Sequence, residues 1–115
     1  MTTNIFPIHC KLVNSEGEAK VEILQITHTA MLVDSLASSL VVNKSFTAQF
    51  TFPIIDRAVE VPVVIYRTYG ELLDPKSATG RKMRQMNELV FKKPERPFNE
   101  ALIKFLAEIS HRQKS

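Results

Sequence analysis

The chain has 115 residues, of which 44% are hydrophobic and 23% charged, with a formal net charge of +3. Such a composition gives one domain, 1–115, with a sizeable core, and excludes disorder and a second core. No apolar run approaches the roughly 20 residues a membrane helix requires, and the single cysteine, Cys10, excludes an intrachain disulfide or a cysteine-based metal cluster.

The opening Met-Thr-Thr-Asn-Ile-Phe-Pro lacks the basic and apolar regions of a secretion signal, so a cytoplasmic protein is expected. Charge is unevenly spread. Residues 1–66 carry four basic and six acidic side chains, whereas residues 67–115 carry eleven basic and six acidic. A basic half attracts phosphates, or is simply a solvated surface of mixed charge.

Ile5 to Val13 reads as a first strand, with Pro7 near its start. Asn14-Ser-Glu-Gly17 is a turn, and Ala19 to Thr27 a second strand. Its apolar residues change phase, Val21 and Ile23 giving way to Leu24 and Ile26, which predicts cover on both faces. Thr27-His28-Thr29 interrupts the run, and Ala30 to Val33 resumes it as a short third strand. Between Asp34 and Asn43 the residues Leu36, Leu40, Val41 and Val42 need an apolar surface, which a loop folded over a barrel mouth supplies.

The clearest pattern follows. Phe46, Ala48, Phe50 and Phe52 alternate with Thr47, Gln49 and Thr51. After a turn marked by Pro53 and Asp56, Val59, Val61, Val63 and Ile65 alternate with Glu60, Pro62, Val64 and Tyr66. Period two means one buried and one wet face, and two such runs this close pair as an antiparallel hairpin. Gly70 to Gly80 is predicted to be a loop, and Lys82 to Phe91 the last strand. From about 98 to 112, Phe98, Leu102, Phe105, Leu106 and Ile109 recur at helical spacing, with Ile103 beside them and Asn99, Glu100, Lys104 and Glu108 opposite. The chain is thus mostly β, a small antiparallel barrel or sandwich over about 5–92 followed by one helix.

Chemistry-bearing patterns are sparse. The glycines, at 17, 70 and 80, mark turns and form no phosphate loop. His9, His28 and His111 lack metal-ligand spacing, so no metal is expected. Cys10 next to His9 on a strand points away from it and reads as a core residue. The carboxylates are dispersed, with no pair placed for acid–base work, so catalytic residues and enzyme activity are not expected. The cations Arg67, Arg81, Lys82 and Arg84 are the candidate contacts to a nucleotide or a partner, since a guanidinium fork matches two phosphate oxygens. No aromatics interleave with them, so nucleic acid is not an expected partner.

Three segments, Val21-Glu-Ile-Leu-Gln-Ile-Thr-His-Thr-Ala-Met-Leu-Val33, Phe46-Thr-Ala-Gln-Phe-Thr-Phe-Pro53 and Val59-Glu-Val-Pro-Val-Val-Ile-Tyr-Arg67, together with Asn87 to Phe91 and the closing helix, resemble the PilZ family of bacterial cyclic di-GMP receptor domains. The resemblance runs from about Ile5 to Ile109 and implies a six-stranded antiparallel β-barrel with one C-terminal α-helix. It also implies two ligand motifs, from which this chain departs. The family's Arg-x-x-x-Arg before the first strand has no counterpart, because no arginine precedes Arg57. Its Asp/Asn-x-Ser-x-x-Gly falls on Gln25, Thr27 and Ala30, of which only Thr27 keeps the chemistry. Ala30 in place of glycine is expected to resist a positive φ.

What this implies is a non-enzymatic adaptor without a cofactor, in cyclic di-GMP or motility pathways (type IV pilus or flagellar), that contacts a protein partner and binds cyclic di-GMP weakly or not at all. The alternative is a true cyclic di-GMP receptor with a rearranged basic site in which Arg81, Lys82 and Arg84 replace the missing arginines. The segment 36–42, the 70–80 loop and the outer face of the helix are the candidate contact elements. A barrel edge, or segment 36–42, leaves room for a homodimer.

Overall fold

The alternating stretches form six strands in the computed structural model, which describes residues 5–36, 40–72 and 83–113. They are β1 (Ile8–Asn14), β2 (Gly17–Ile26), β3 (Ala30–Asp34), β4 (Ser45–Phe52), β5 (Arg57–Leu72) and β6 (Met83–Phe91), followed by α1 (Arg96–Gln113). Every neighbouring pair is antiparallel, and the ring closes in the order β1-β2-β3-β6-β5-β4, with Cys10 of β1 opposite Phe50 of β4. Closure leaves no full-length edge strand open to aggregation.

Several boundaries move. The first strand begins at Ile8, not Ile5, since Pro7 has no N–H to give a ladder. β5 runs through Gly70 to Leu72, three residues into the expected loop, because β6 pairs with it that far, Glu71 opposite Arg84. The remainder of that loop, 73–80, lies outside the described residues, as do 81 and 82. The β4–β5 link is tighter than its composition requires: the Ile55 N–H donates to the Pro53 carbonyl at 2.8 Å across Ile54, whose φ is +76°. A branched residue there carries local strain.

The hairpin phase is as expected. Ala48, Phe50, Phe52, Val61, Val63 and Ile65 are buried, and they meet Leu12, Val21, Ile23, Val33 and Leu89 inside the ring. Helix α1, with Pro97 in its first turn where no backbone donor is missed, covers one end of the barrel. Phe105 packs on Phe52 at 4.7 Å between ring centroids, and Phe98 meets Phe91 at 5.0 Å. Segment 34–43 departs from expectation: Leu40 enters the core, but Leu36, Val41 and Val42 remain exposed.

The phase change in β2 has a different cause from the one its sequence implies. Ile23 pairs with Val33 and Gln25 with Leu32, so Leu24 is an extra residue, a β-bulge. One face is buried before it and the same face after it, with the alternation reset. A second bulge occurs in β5, where Ile65 pairs with Leu89 and Arg67 with Glu88, leaving Tyr66 as the extra residue. Without it, Arg67 would continue the inward series Val61, Val63, Ile65. With it, Arg67 and Tyr69 point outward.

Candidate functional site

The two bulges act on one lateral row. Gln25 pairs with Leu32, Leu32 with Glu88, and Glu88 with Arg67, so these side chains lie side by side across β2, β3, β6 and β5 on the outer wall. The row floors a shallow cleft of about 340 Å³, whose walls add Thr27, Thr29, Ala30 and Tyr69. The structure therefore gathers Gln25, Thr27, Ala30 and Arg67, four of the residues singled out in the sequence, in one place.

Their surroundings limit what they can do. The Thr27 hydroxyl accepts from the N–H groups of Thr29 (3.4 Å) and Ala30 (3.2 Å) and lies 3.1 Å from the Ala30 carbonyl, to which it donates. Its work is to hold the β2–β3 turn, reinforced by the Thr27 N–H to the Ala30 carbonyl at 2.8 Å. Ala30 is not among the residues with positive φ, so alanine sits there without backbone strain. His28 is exposed at the turn and does not line the cleft.

Among the described residues Arg67 is the one cation lining the cleft, and it is engaged twice. Its Nη2 stands 3.4 Å from the Glu88 carboxylate, and its guanidinium lies over the Tyr69 ring at 5.2 Å from the centroid. The carboxylate offsets the positive charge, and the ring holds the guanidinium against the wall. The cleft is consequently near neutral among its described lining residues.

Arg84 is held elsewhere. The Arg84 Nε lies 3.6 Å from Oδ2 of Asp34, a side chain only 3% exposed, and Oδ1 of Asp34 accepts the Leu36 N–H at 2.9 Å. A buried carboxylate of this kind holds its cation in place. Arg81 and Lys82 lie outside the described residues. Among the described residues, no three His, Cys, Asp or Glu side chains are grouped as a metal site needs, and no helix is long and apolar enough to cross a membrane.

Compared with known structures, the chain is similar to the PilZ domain with c-di-GMP of YcgR from Escherichia coli, at a TM-score of 0.73 and 10% sequence identity, over 94% of this chain and 86% of that one. The fold is that of a PilZ domain. Neither a family model nor a curated protein matches the sequence. On this PilZ fold, six antiparallel strands and a terminal helix agree with the architecture read from the sequence.

Sequence reasoning missed Leu32, Tyr69 and Glu88. The available signal was phase: outward placement of Tyr69 follows once Tyr66 is recognised as a bulge, and Glu88 faces Arg67 only through the shifted register. In the PilZ scaffold of this chain, the floor of the cleft is thus set by two inserted residues.

Proposed function

We propose that this chain is a non-catalytic, single-domain, cytoplasmic adaptor in a bacterial cyclic di-GMP or motility pathway, acting through contacts with a protein partner and binding the dinucleotide weakly or not at all. The observation that carries this reading is the charge balance of the cleft, where Arg67 is already paired with Glu88 at 3.4 Å.

The similar YcgR domain was solved with c-di-GMP. That ligand bears two phosphates. To receive one here, Arg67 must give up Glu88, or the phosphate must sit beside a carboxylate. Gln25 and Ala30 offer no charge, and the Thr27 hydroxyl is spent on its own turn. Each missing charge-assisted hydrogen bond is worth about 1.5–3 kcal/mol. Two or three of them separate a micromolar site from one near 1 mM, at about 1.4 kcal/mol per tenfold. Exposed apolar side chains elsewhere, Val41, Val42 and Ile103 among them, support a role in macromolecular contacts.

Calorimetric titration with cyclic di-GMP tests the reading. We expect no saturable binding tighter than about 1 mM. A micromolar constant lost in Arg67→Ala would show the cleft to be a working receptor site. One lost instead in Arg81→Ala or Arg84→Ala would establish the rearranged basic site.

A further inference from the structure

In the ring of strands β4 lies opposite β3, so the wall made by β1, β4 and the first half of β5 looks away from the cleft. On this wall the residues that alternate with the core point outward, among them Lys11, Gln49 and Glu60. The register sets them in line: Lys20 of β2 pairs with Lys11, Lys11 with Gln49, and Gln49 with Glu60. The row reads cation, cation, amide, carboxylate. Lys11 and Glu60 stand two strand spacings, or about 10 Å, apart.

The charges of this row are out of balance. Lysines directly opposite each other on neighbouring strands repel. Lys11 has a carboxylate nearby, Glu18 at 3.5 Å, but the two side chains are 45% and 54% exposed, and a pair so wet holds its members weakly. Among the described residues neither Lys20 nor Glu60 has an oppositely charged partner. Between the charges the wall is low: Thr51 and Ala58 are short, and with Lys11, Gln49 and Glu60 they help line a shallow groove of about 400 Å³.

Of the two ways to lay this wall on a second copy with the strands aligned, one matches charge. About a two-fold axis along β4, Gln49 lies over Gln49, and each Glu60 stands over the other copy's Lys11, beside its Lys20. About an axis across the strands, lysine would meet lysine and carboxylate would meet carboxylate. We propose that the β1–β4–β5 wall is a self-association surface on which two copies pack face to face about an axis along β4, each Glu60 completing the lysine pair of the other. Sheets stacked in this way stand about 10 Å apart, a gap that Lys and Glu side chains reach across. A two-fold contact is closed, so it ends at a dimer. Both clefts face away from it, and it holds whatever the cleft binds. Its small, mostly polar area makes it a weak, exchanging dimer.

Sedimentation velocity over a dilution series up to about 200 µM, the range that reads a micromolar constant, tests the proposal. The mass should rise from 13.1 kDa toward twice that value, and less steeply as salt is raised. Glu60→Lys sets like charges opposite one another and should weaken the dimer about tenfold, as should Lys11→Glu combined with Lys20→Glu. Mixed together, the Glu60→Lys chain and the Lys11→Glu, Lys20→Glu chain should associate at least as tightly as the native protein. Recovery on mixing separates a lost contact from a damaged fold, which a second damaged chain would not repair. A monomer throughout, a dimer indifferent to Glu60→Lys, or a mixture that stays monomeric would each overturn the proposal.

Discussion

Cys10 faces the barrel interior, opposite Val21 on one side and Phe50 on the other. Loss of water there pushes its thiol up from 9.0 to about 12, against a smaller opposing effect of a backbone hydrogen bond from Gln49. A raised acid has a definite consequence for stability. Below about pH 9 the thiol is neutral in both folded and unfolded chains and the fold keeps its full stability. Between about 9 and 12 only the unfolded chain ionises, so stability falls, by up to about 1.4 kcal/mol per pH unit. Denaturant titrations at pH 8 and at about 10.5 should therefore show a larger loss for the native chain than for Cys10→Val. Equal losses would mean that the thiol reaches water. The same burial makes Cys10 a packing residue rather than a nucleophile.

At the scale of elements, α1 depends on what it covers. Phe105 is fully buried and packed on Phe52, while Phe98 reaches Phe91 and Phe50, so one helix face carries the ring contacts to β4 and β6. Phe105→Ala should cost about 3–5 kcal/mol in urea unfolding. A loss below about 1 kcal/mol would show that the barrel end closes without that ring. This helix and the β4–β5 hairpin were legible in the sequence because their periods, 3.6 and 2, run unbroken through the helix and through the β4–β5 ladder up to Val64. The bulges at Leu24 and Tyr66 were not. A bulge looks like a lapse in alternation, and in β2 that lapse is indistinguishable from a strand covered on both faces until the partner strands fix the register. The candidate site was legible only by half for the same reason. Gln25, Thr27 and Ala30 could be named from their order in the chain, whereas their meeting with Arg67, Tyr69 and Glu88 is a product of cross-strand pairing between segments more than 35 residues apart.

For the molecule as a whole, the ring sets how it opens. Residues such as Leu12 and Ala48 are fully buried and belong to the β1–β4 seam, which cannot part without breaking closure. Their amides should exchange only through global unfolding. Those of 66–72, paired among the described residues to β6 alone, should exchange through local opening at a much lower free energy. Uniform protection across both regions would contradict that division.

The two inserted residues also determine which genetic changes matter most to the outer wall. A point substitution at Leu24 or Tyr66 leaves the chain count unchanged, and Gln25, Arg67 and Tyr69 keep their outward aim. Loss of a single codon at either position moves every later side chain of that strand to the opposite side, driving a guanidinium toward the hydrocarbon interior in one case. Length variation at these two points, more than chemical variation around them, is what separates a chain that keeps this groove from one that has none.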